Sequence, residues 1–192
     1  MLPRAIRFSL SLMALSVAIL FAETPAFAGP ITAGVWYEFA FTDPGVSPTG
    51  CFPADPAGGF CIPSSGTPTA FADAPPWTFV APLPTQLRVT DAFESTDRFE
   101  VLDFGMPIGM TSPLVAGVLI DCGDDPVVCL GTPGMSTGVF ALAAGPHSFT
   151  IVPLESGTGG AAYFQVDVPE PTSVLLLATG LAAVLRRRRA RR

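Results

Sequence analysis

The sequence predicts an all-β fold, a single β-sandwich or jelly-roll-like domain over residues 29–167, with a targeting segment at each end. Within that range no stretch keeps apolar residues at helical spacing, whereas short runs with two-residue alternation recur. Glycine and proline, 19 and 21 residues of the 192, cluster between those runs as turn formers. Short alternating strands separated by turns are typical of sandwiches and jelly rolls.

Eight runs are predicted to be strands because apolar and polar residues alternate along them, as Phe149 and Ile151 alternate with Ser148 and Thr150. They cover residues 35–42, 77–80, 86–93, 98–104, 114–121, 138–143, 147–152 and 161–168. The clearest predicted hairpin joins residues 90–93 to residues 98–101 through a turn at 94–97.

Residues 43–76 are rich in Pro, Gly, Ser and Thr and poor in strand formers, which predicts a long surface loop. The chain has four cysteines, an even number that suggests two disulfides in an exported protein. Three connectivities are possible; we favour the local pairs Cys51 with Cys61 and Cys122 with Cys129, because the segments between them can turn back on themselves. A zinc site is the competing interpretation, but no Cys-x-x-Cys spacing is present.

The domain is strongly acidic. All ten basic residues are arginines and only Arg88 and Arg98 fall within residues 29–167, against fourteen acids, so the domain has a formal balance of −12. Such a surface repels nucleic acid and anionic lipid. It is compatible with divalent cations, neutral polysaccharides and basic proteins as partners.

Two acidic groups are candidate sites. Asp121, Asp124 and Asp125 surround Gly123, and calcium takes six to eight oxygen ligands from flexible loops of this kind. The alternative is a solvated turn, where Asp and Gly are common for backbone reasons. The second group, Asp91, Glu94 and Asp97, lies at the end of the predicted hairpin and has the same two interpretations. No other cofactor or metal is predicted.

No catalytic motif stands out. His147 is the single histidine, and the sequence has no Gly-x-Ser-x-Gly elbow to pair with it. Two of the fourteen acids could form a glycosidase pair, but sequence does not show which approach each other. Four aromatic residues could stack on sugar rings if exposed, although aromatics more often fill β cores: Trp36, Tyr37, Trp77 and Tyr163.

Residues 1–28 have the three parts of a secretory signal peptide: Arg4 and Arg7, an apolar stretch over residues 8–22, and a small-x-small cleavage site at Ala26 and Ala28. We therefore expect recognition by the Sec translocon and signal peptidase. An uncleaved anchor is the alternative, against which the cleavage site argues.

Residues 168–192 consist of Val168-Pro169-Glu170-Pro171, an uncharged run over residues 172–185, and a final segment of six arginines and Ala190. The run would span roughly 20 Å as a helix, which is short for a bilayer but sufficient with snorkelling and local thinning. Arg186, Arg187, Arg188 and Arg189 would hold the C-terminus on the cytoplasmic side of the inner membrane. A buried C-terminal helix is the alternative, but it does not explain the arginine block.

This tail closely resembles the PEP-CTERM sorting signal of Gram-negative bacteria, with Val168, Pro169, Glu170 and Pro171 at the signature positions. The resemblance covers the tail alone. It implies an exosortase as the processing partner, transient anchoring in the inner membrane, and a final location at the cell surface or outside the cell. Because carriers of the signal come from exopolysaccharide-producing species, it also suggests a matrix association.

Two functions follow as hypotheses. The first is a non-enzymatic β-sandwich associated with exopolysaccharide; the second is a secreted hydrolase that acts on matrix polysaccharide or ester. Fold-level analogy alone does not choose between them.

Overall fold

The computed structural model describes residues 29–168, a single domain of strands with one short helix. The signal-peptide residues, including Ala26 and Ala28, and the tail from Pro169, including Arg186 to Arg189, lie outside the described residues. The strands are β1 (Trp36–Phe41), β2 (Thr69–Phe71), β3 (Trp77–Ala81), β4 (Thr85–Asp91), β5 (Phe93–Glu94), β6 (Arg98–Asp103), β7 (Met106–Met110), β8 (Asp121–Gly123), β9 (Thr137–Leu142), β10 (Gly145–Glu155) and β11 (Gly160–Asp167). The helix α1 covers Pro126–Gly131.

Two sheets form a sandwich. The outer sheet has the strand order β2-β1-β11-β4-β9, the inner sheet has the order β3-β10-β6-β7, and β5 pairs with β8 in a separate ladder. If β2, β5 and β8 are left aside, the chain passes from one sheet to the other at each successive strand. The one exception is the step from β6 to β7, since both strands belong to the inner sheet. The predicted all-β sandwich is confirmed; this alternation favours the finer jelly-roll description, which stays a prediction.

The core lies between the two sheets and is mainly aromatic. Trp77 of the inner sheet contacts Phe39 and Phe164 of the outer sheet, with ring centroids 5.2 and 4.6 Å apart. Phe41 meets Phe99 edge to face at 5.1 Å. Such tilted and edge contacts are the preferred aromatic geometries and add to the stabilisation from burial.

The alternation predicted for residues 147–152 is confirmed in β10, where Phe149 and Ile151 are buried while Ser148 and Thr150 are partly exposed. In β11 the alternation fails, since six of its eight residues are buried. The reason is a second layer on the outer face, where Tyr163 packs with Trp36 and Ala92, and Leu130 of α1 packs against this cluster. Trp36, Trp77 and Tyr163 are thus buried, and Tyr37 packs against the core.

The predicted strand at residues 114–121 is wrong. Residues 114–120 are irregular, and only Asp121–Gly123 pairs with another strand. Gly117 has a φ of 73°, which an extended strand does not allow. Val118 and Leu119 are half exposed or more, so this apolar run is not part of the core.

The predicted hairpin between residues 90–93 and 98–101 is also wrong. β4 pairs with β11 and β9, whereas β6 pairs with β10 and β7 in the other sheet. Asp91 redirects the chain at the end of β4, because its carboxylate accepts hydrogen bonds from the amides of Ala92 and Asp97. The tight hairpin is instead β6–β7, turning at Phe104 and Gly105 with φ of 48° and 76°, the signs of a type I′ turn.

Residues 43–76 are largely irregular, although β2 adds a short parallel strand beside β1. Both local disulfides are confirmed: Cys51 is bonded to Cys61 and Cys122 to Cys129. The cysteines are therefore not zinc ligands in this structure. Within residues 29–168, no helix is long and apolar enough to cross a membrane.

Candidate functional site

The two acidic groups of the sequence meet in one cavity. β5 and β8 pair antiparallel, with Glu94 opposite Asp121. This ladder brings both residues to a cavity of about 590 Å³, which Asp97 and Asp124 also line, together with backbone of residues 157–161. We call this cavity the acidic pocket.

Asp97 is a buried residue among those that line the acidic pocket. Its exposed fraction is 4%, and its Oδ2 atom accepts a hydrogen bond from the Thr96 hydroxyl at 2.8 Å. Its Oδ1 atom is buried and has no hydrogen-bond partner in the described chain. Burying a carboxylate oxygen without a hydrogen-bond donor costs free energy, which a cation or a donor beside this oxygen of Asp97 would reduce.

Asp91 lies behind Asp97 and does not line the pocket. Burial, together with the nearby charge of Asp97, raises the pKa of Asp91 to about 8, although amide hydrogen bonds oppose the shift. Its role in the structure is to turn the chain from one sheet to the other.

The predicted calcium set of Asp121, Asp124 and Asp125 is not brought together as a trio within ligand distance. Asp121 Oδ1 accepts from the Gly123 amide at 2.8 Å, and Asp124 accepts from the amide and hydroxyl of Ser65 at 3.0 and 2.8 Å. Asp124 and Asp125 thus hold the long loop in place through hydrogen bonds. Asp121 uses only its Oδ1 atom in the hydrogen bond to Gly123.

Asp125 is the N-cap of α1. Its Oδ1 atom accepts from the Val127 amide at 2.9 Å, and its Oδ2 atom accepts from the Thr67 amide at 3.0 Å. Burial acts to raise the pKa of Asp125, but the hydrogen bonds from Val127, Thr67 and Val128 outweigh it and lower the pKa below its usual value. The Asp-Pro pair is a helix-start signal that the sequence interpretation as a calcium ligand overlooked.

Replacing Asp125 with alanine should lower the free energy of unfolding by about 1–2 kcal/mol, because both the helix cap and the tie to Thr67 are lost. Urea unfolding of the wild type and the variant measures this difference. Asp43→Ala is the matched control, since Asp43 is exposed in the loop and its replacement should change the value by less than about 0.5 kcal/mol. Equal unfolding midpoints for the two variants would contradict the assignment.

A second cavity of about 390 Å³ adjoins the acidic pocket and shares Phe93 and residues 158–161 with it. Phe60 and Ile62 of the long loop line its far side. The exposed fraction of Phe60 is 86%, which is high for a phenylalanine. We call the two cavities together the outer groove; one end is acidic and the other is apolar. No sequence pattern indicates that Phe60 and Phe93 line a groove, because only the fold of the loop brings them together.

Glu38 lies beneath this groove on β1 and is fully buried. Its Oε1 atom accepts from the Ile62 amide at 3.2 Å, while Oε2 is buried without a partner. Burial is the main reason that the pKa of Glu38 is raised to about 7. Oxygen and sulfur atoms of Glu38, Cys51 and Cys61 lie within 4.8 Å of one another, but the disulfide removes the thiolates that a metal would need.

His147 is held by two oxygen acceptors. Its Nδ1 atom lies 2.7 Å from Asp103 Oδ2, and its Nε2 atom lies 3.0 Å from the Ala143 carbonyl oxygen. Asp103 is further fixed by the Ser148 amide. The histidine is buried in the inner sheet, on strand β10 and outside the residues that line the outer groove.

Two comparisons with known proteins bear on the chain. Residues 167–189 match the PEP-CTERM protein-sorting motif. No curated protein matches the chain. The matched range begins at Asp167, the last residue of β11, so it overlaps the folded domain by that one residue and otherwise follows it.

Proposed function

From the PEP-CTERM motif, which marks the chain as an exported protein that an exosortase sorts after transient membrane anchoring, we propose that the mature domain is a non-enzymatic matrix protein. It stays at the cell surface or in the extracellular matrix by binding exopolysaccharide. The observation that carries this proposal is the outer groove, in which carboxylates and an exposed aromatic ring lie side by side.

The groove offers the two kinds of contact that sugars use. Carboxylates such as those of Glu94 and Asp121 accept hydrogen bonds from hydroxyl groups, and charged acceptors form the stronger hydrogen bonds. Phe60 presents an apolar ring against which the C–H face of a sugar can stack. The formal charge of −12 favours a neutral polysaccharide over a polyanionic one.

Two features support a binding role over catalysis. Both ring nitrogens of His147 contact oxygen acceptors, so neither is placed to take a proton from a nucleophile. Asp91, whose raised pKa would suit a general acid, is fully buried and does not line the pocket. Neither His147 nor Asp91 therefore supports the hydrolase hypothesis.

Retention on immobilised native exopolysaccharide tests the proposal. The exported protein, purified with its disulfides intact, should be retained, and Phe60→Ala should weaken the affinity roughly 3- to 10-fold, the value of one lost aromatic contact. Affinity is measured by depletion from solution over a series of polysaccharide concentrations.

Phe52→Ala is the matched control, because Phe52 belongs to the same loop, has an exposed fraction of 61% and does not line the groove. If the wild type is not retained, or if both variants lose affinity equally, the groove is not the binding site. Release of reducing sugar or acid from the polysaccharide during the assay would favour the hydrolase instead.

A further inference from the structure

One end of the sandwich carries the start of the tail, and we call it the tail end. β11 finishes there at Asp167, which pairs with Gln86 near the start of β4, and Thr85 of β4 pairs with Leu142 at the end of β9. Four segments lie before or between strands at this end: residues 32–35, 82–84, 104–105 and 143–144. None of the four contains a charged residue.

The turn between β6 and β7 supplies large apolar side chains to the tail end. His147 links this turn to the connection between β9 and β10, because its ring nitrogens contact Asp103 and the carbonyl oxygen of Ala143. Phe104 and Met106 are 64% and 68% exposed. Exposed apolar side chains that lie together mark surfaces that contact a partner or a membrane.

Phe104 is unusual in its backbone as well as in its exposure. Its φ of 48° lies in the left-handed region, which is unfavourable for a bulky side chain, and asparagine is preferred before glycine in this type of turn. Folding alone would therefore be served better by asparagine at this position. An exposed ring in a strained conformation points to a role outside the fold.

The acidic residues are concentrated at the far end of the sandwich. Residues 157–161, where β10 gives way to β11, line the acidic pocket together with Glu94 and Asp97. Three more acids follow or end strands at the far end: Asp43 after β1, Asp91 in β4 and Glu155 in β10.

Two acids near the tail end, by contrast, have basic partners. Asp167 forms an ion pair with Arg88, and Asp103 contacts His147. An anionic lipid surface therefore repels the far end of the sandwich much more than the tail end.

The tail also limits the distance between this end and a membrane. The uncharged run begins five residues after Asp167, at residue 172, and five extended residues reach at most about 18 Å. β11 covers Gly160–Asp167, about 23 Å of strand, so the far end lies that much further along the sandwich. While the tail is anchored, the tail end is the part of the domain nearest to lipid.

We propose that the tail end docks on the phospholipid surface while the tail anchors the chain, with the side chains of Phe104 and Met106 among the lipid headgroups. Aromatic and other large apolar side chains favour this boundary. The tether makes the contact intramolecular, so a small patch is sufficient even though it would hold a free domain only weakly. The outer groove, at the far end, then faces away from the membrane. This surface goes beyond the proposed function and does not depend on it, since lipid contact can be measured without polysaccharide.

Fluorescence quenching in vesicles tests the proposal. All four cysteines are disulfide-bonded, so Met106→Cys adds a single thiol that can carry a fluorescent label. The exported chain, with its tail intact, is reconstituted into vesicles of phosphatidylethanolamine and phosphatidylglycerol whose acyl chains carry bromine close to the headgroup. Because bromine quenches only fluorophores that it contacts, the label at residue 106 should lose most of its fluorescence relative to vesicles without bromine.

Thr158→Cys is the matched control, because Thr158 is exposed in the turn between β10 and β11 at the far end. Its label should keep its fluorescence. Equal quenching at residues 106 and 158, or no quenching at 106, overturns the proposal. A label at 106 that is shielded from aqueous iodide but not quenched by bromine would place a second copy of the chain there, and overturns it too.

Phe104→Asn, combined with the label at 106, tests the ring itself. It should shift the equilibrium between the docked and the free orientation about 3- to 10-fold towards the free one, since roughly half of a phenylalanine side chain no longer enters the lipid. Its urea unfolding midpoint should equal or exceed that of the wild type, because asparagine suits the left-handed conformation. Unchanged quenching in this variant overturns the contact.

Discussion

Replacing Pro169, Glu170 and Pro171 with alanine is expected to leave the chain as an unprocessed precursor in the inner membrane. The proline rings fix φ and bias the preceding residues towards extended backbone, the form in which proteases bind their substrates. Alanine removes that constraint and the carboxylate together, so processing should fall by at least an order of magnitude. Membrane fractionation, with mass spectrometry of the C-terminus, measures the processed fraction.

Pro44→Ala is the control for this experiment, because it makes a single proline-to-alanine change at an exposed position of the loop. It should be processed like the wild type. A triple-alanine variant that is cut at the same rate would refute the motif as the processing signal. So would a chain truncated before Pro169 that still reaches the same compartment by the same route as the full-length protein.

The fold was predictable where local pattern and tertiary environment agree. Phe149 and Ile151 alternate with polar neighbours because one face of β10 meets the core. The pattern failed at residues 114–120, where an apolar run without a partner strand remains on the surface. Local spacing cannot show whether a partner is present.

The hairpin failed for a related reason. Residues 90–101 have the length and turn residues of a local pair, but Asp91 uses its carboxylate to bond the Ala92 and Asp97 amides and sends the chain to the other sheet. A side chain that bonds nearby backbone competes with strand pairing. The actual hairpin turns at Phe104-Gly105, which lacks the Asn-Gly signature of its turn type.

The candidate site was only half visible in the sequence. Both acidic groups were identified, but their meeting depends on the pairing of Glu94 with Asp121, two residues far apart in the chain. The Asp125-Pro126 pair, by contrast, is a helix-capping signal that can be recognised in the sequence. The acidic residues around Asp125 had favoured its interpretation as a metal ligand. Phe60 lines the groove only because of the conformation of the loop, which the Cys51–Cys61 disulfide restrains.

Glu38→Gln is expected to remove a large part of the pH dependence of stability. Glu38 lies between Phe71 and Tyr163 in the sheet register and is buried beneath the loop. Its pKa is raised from 4.5 to about 7, first by burial and then by the charge of Asp124, while the hydrogen bond from the Ile62 amide opposes the shift. The folded protein thus binds the proton more tightly than the unfolded chain does.

The direction of the effect follows from linkage. Stability from protonated Glu38 is fully present below about pH 4.5 and is lost as the pH rises to about 7, the folded-state pKa. The loss amounts to about 3 kcal/mol for this group. Urea unfolding at pH 4, 6 and 8 should therefore show a decline in wild-type stability that is smaller by about that amount in Glu38→Gln, because glutamine carries no charge at any of these pH values.

Glu100→Gln isolates the cause, since Glu100 is a partly exposed glutamate of β6 in the other sheet and its replacement should keep the wild-type slope. The comparison uses the slope and not stability at one pH, because the glutamine amide brings two donors to a place where Oε2 already lacks a partner. Parallel slopes for all three proteins would mean that Glu38 is ionised in the folded state at pH 6, and that water reaches it beneath the loop.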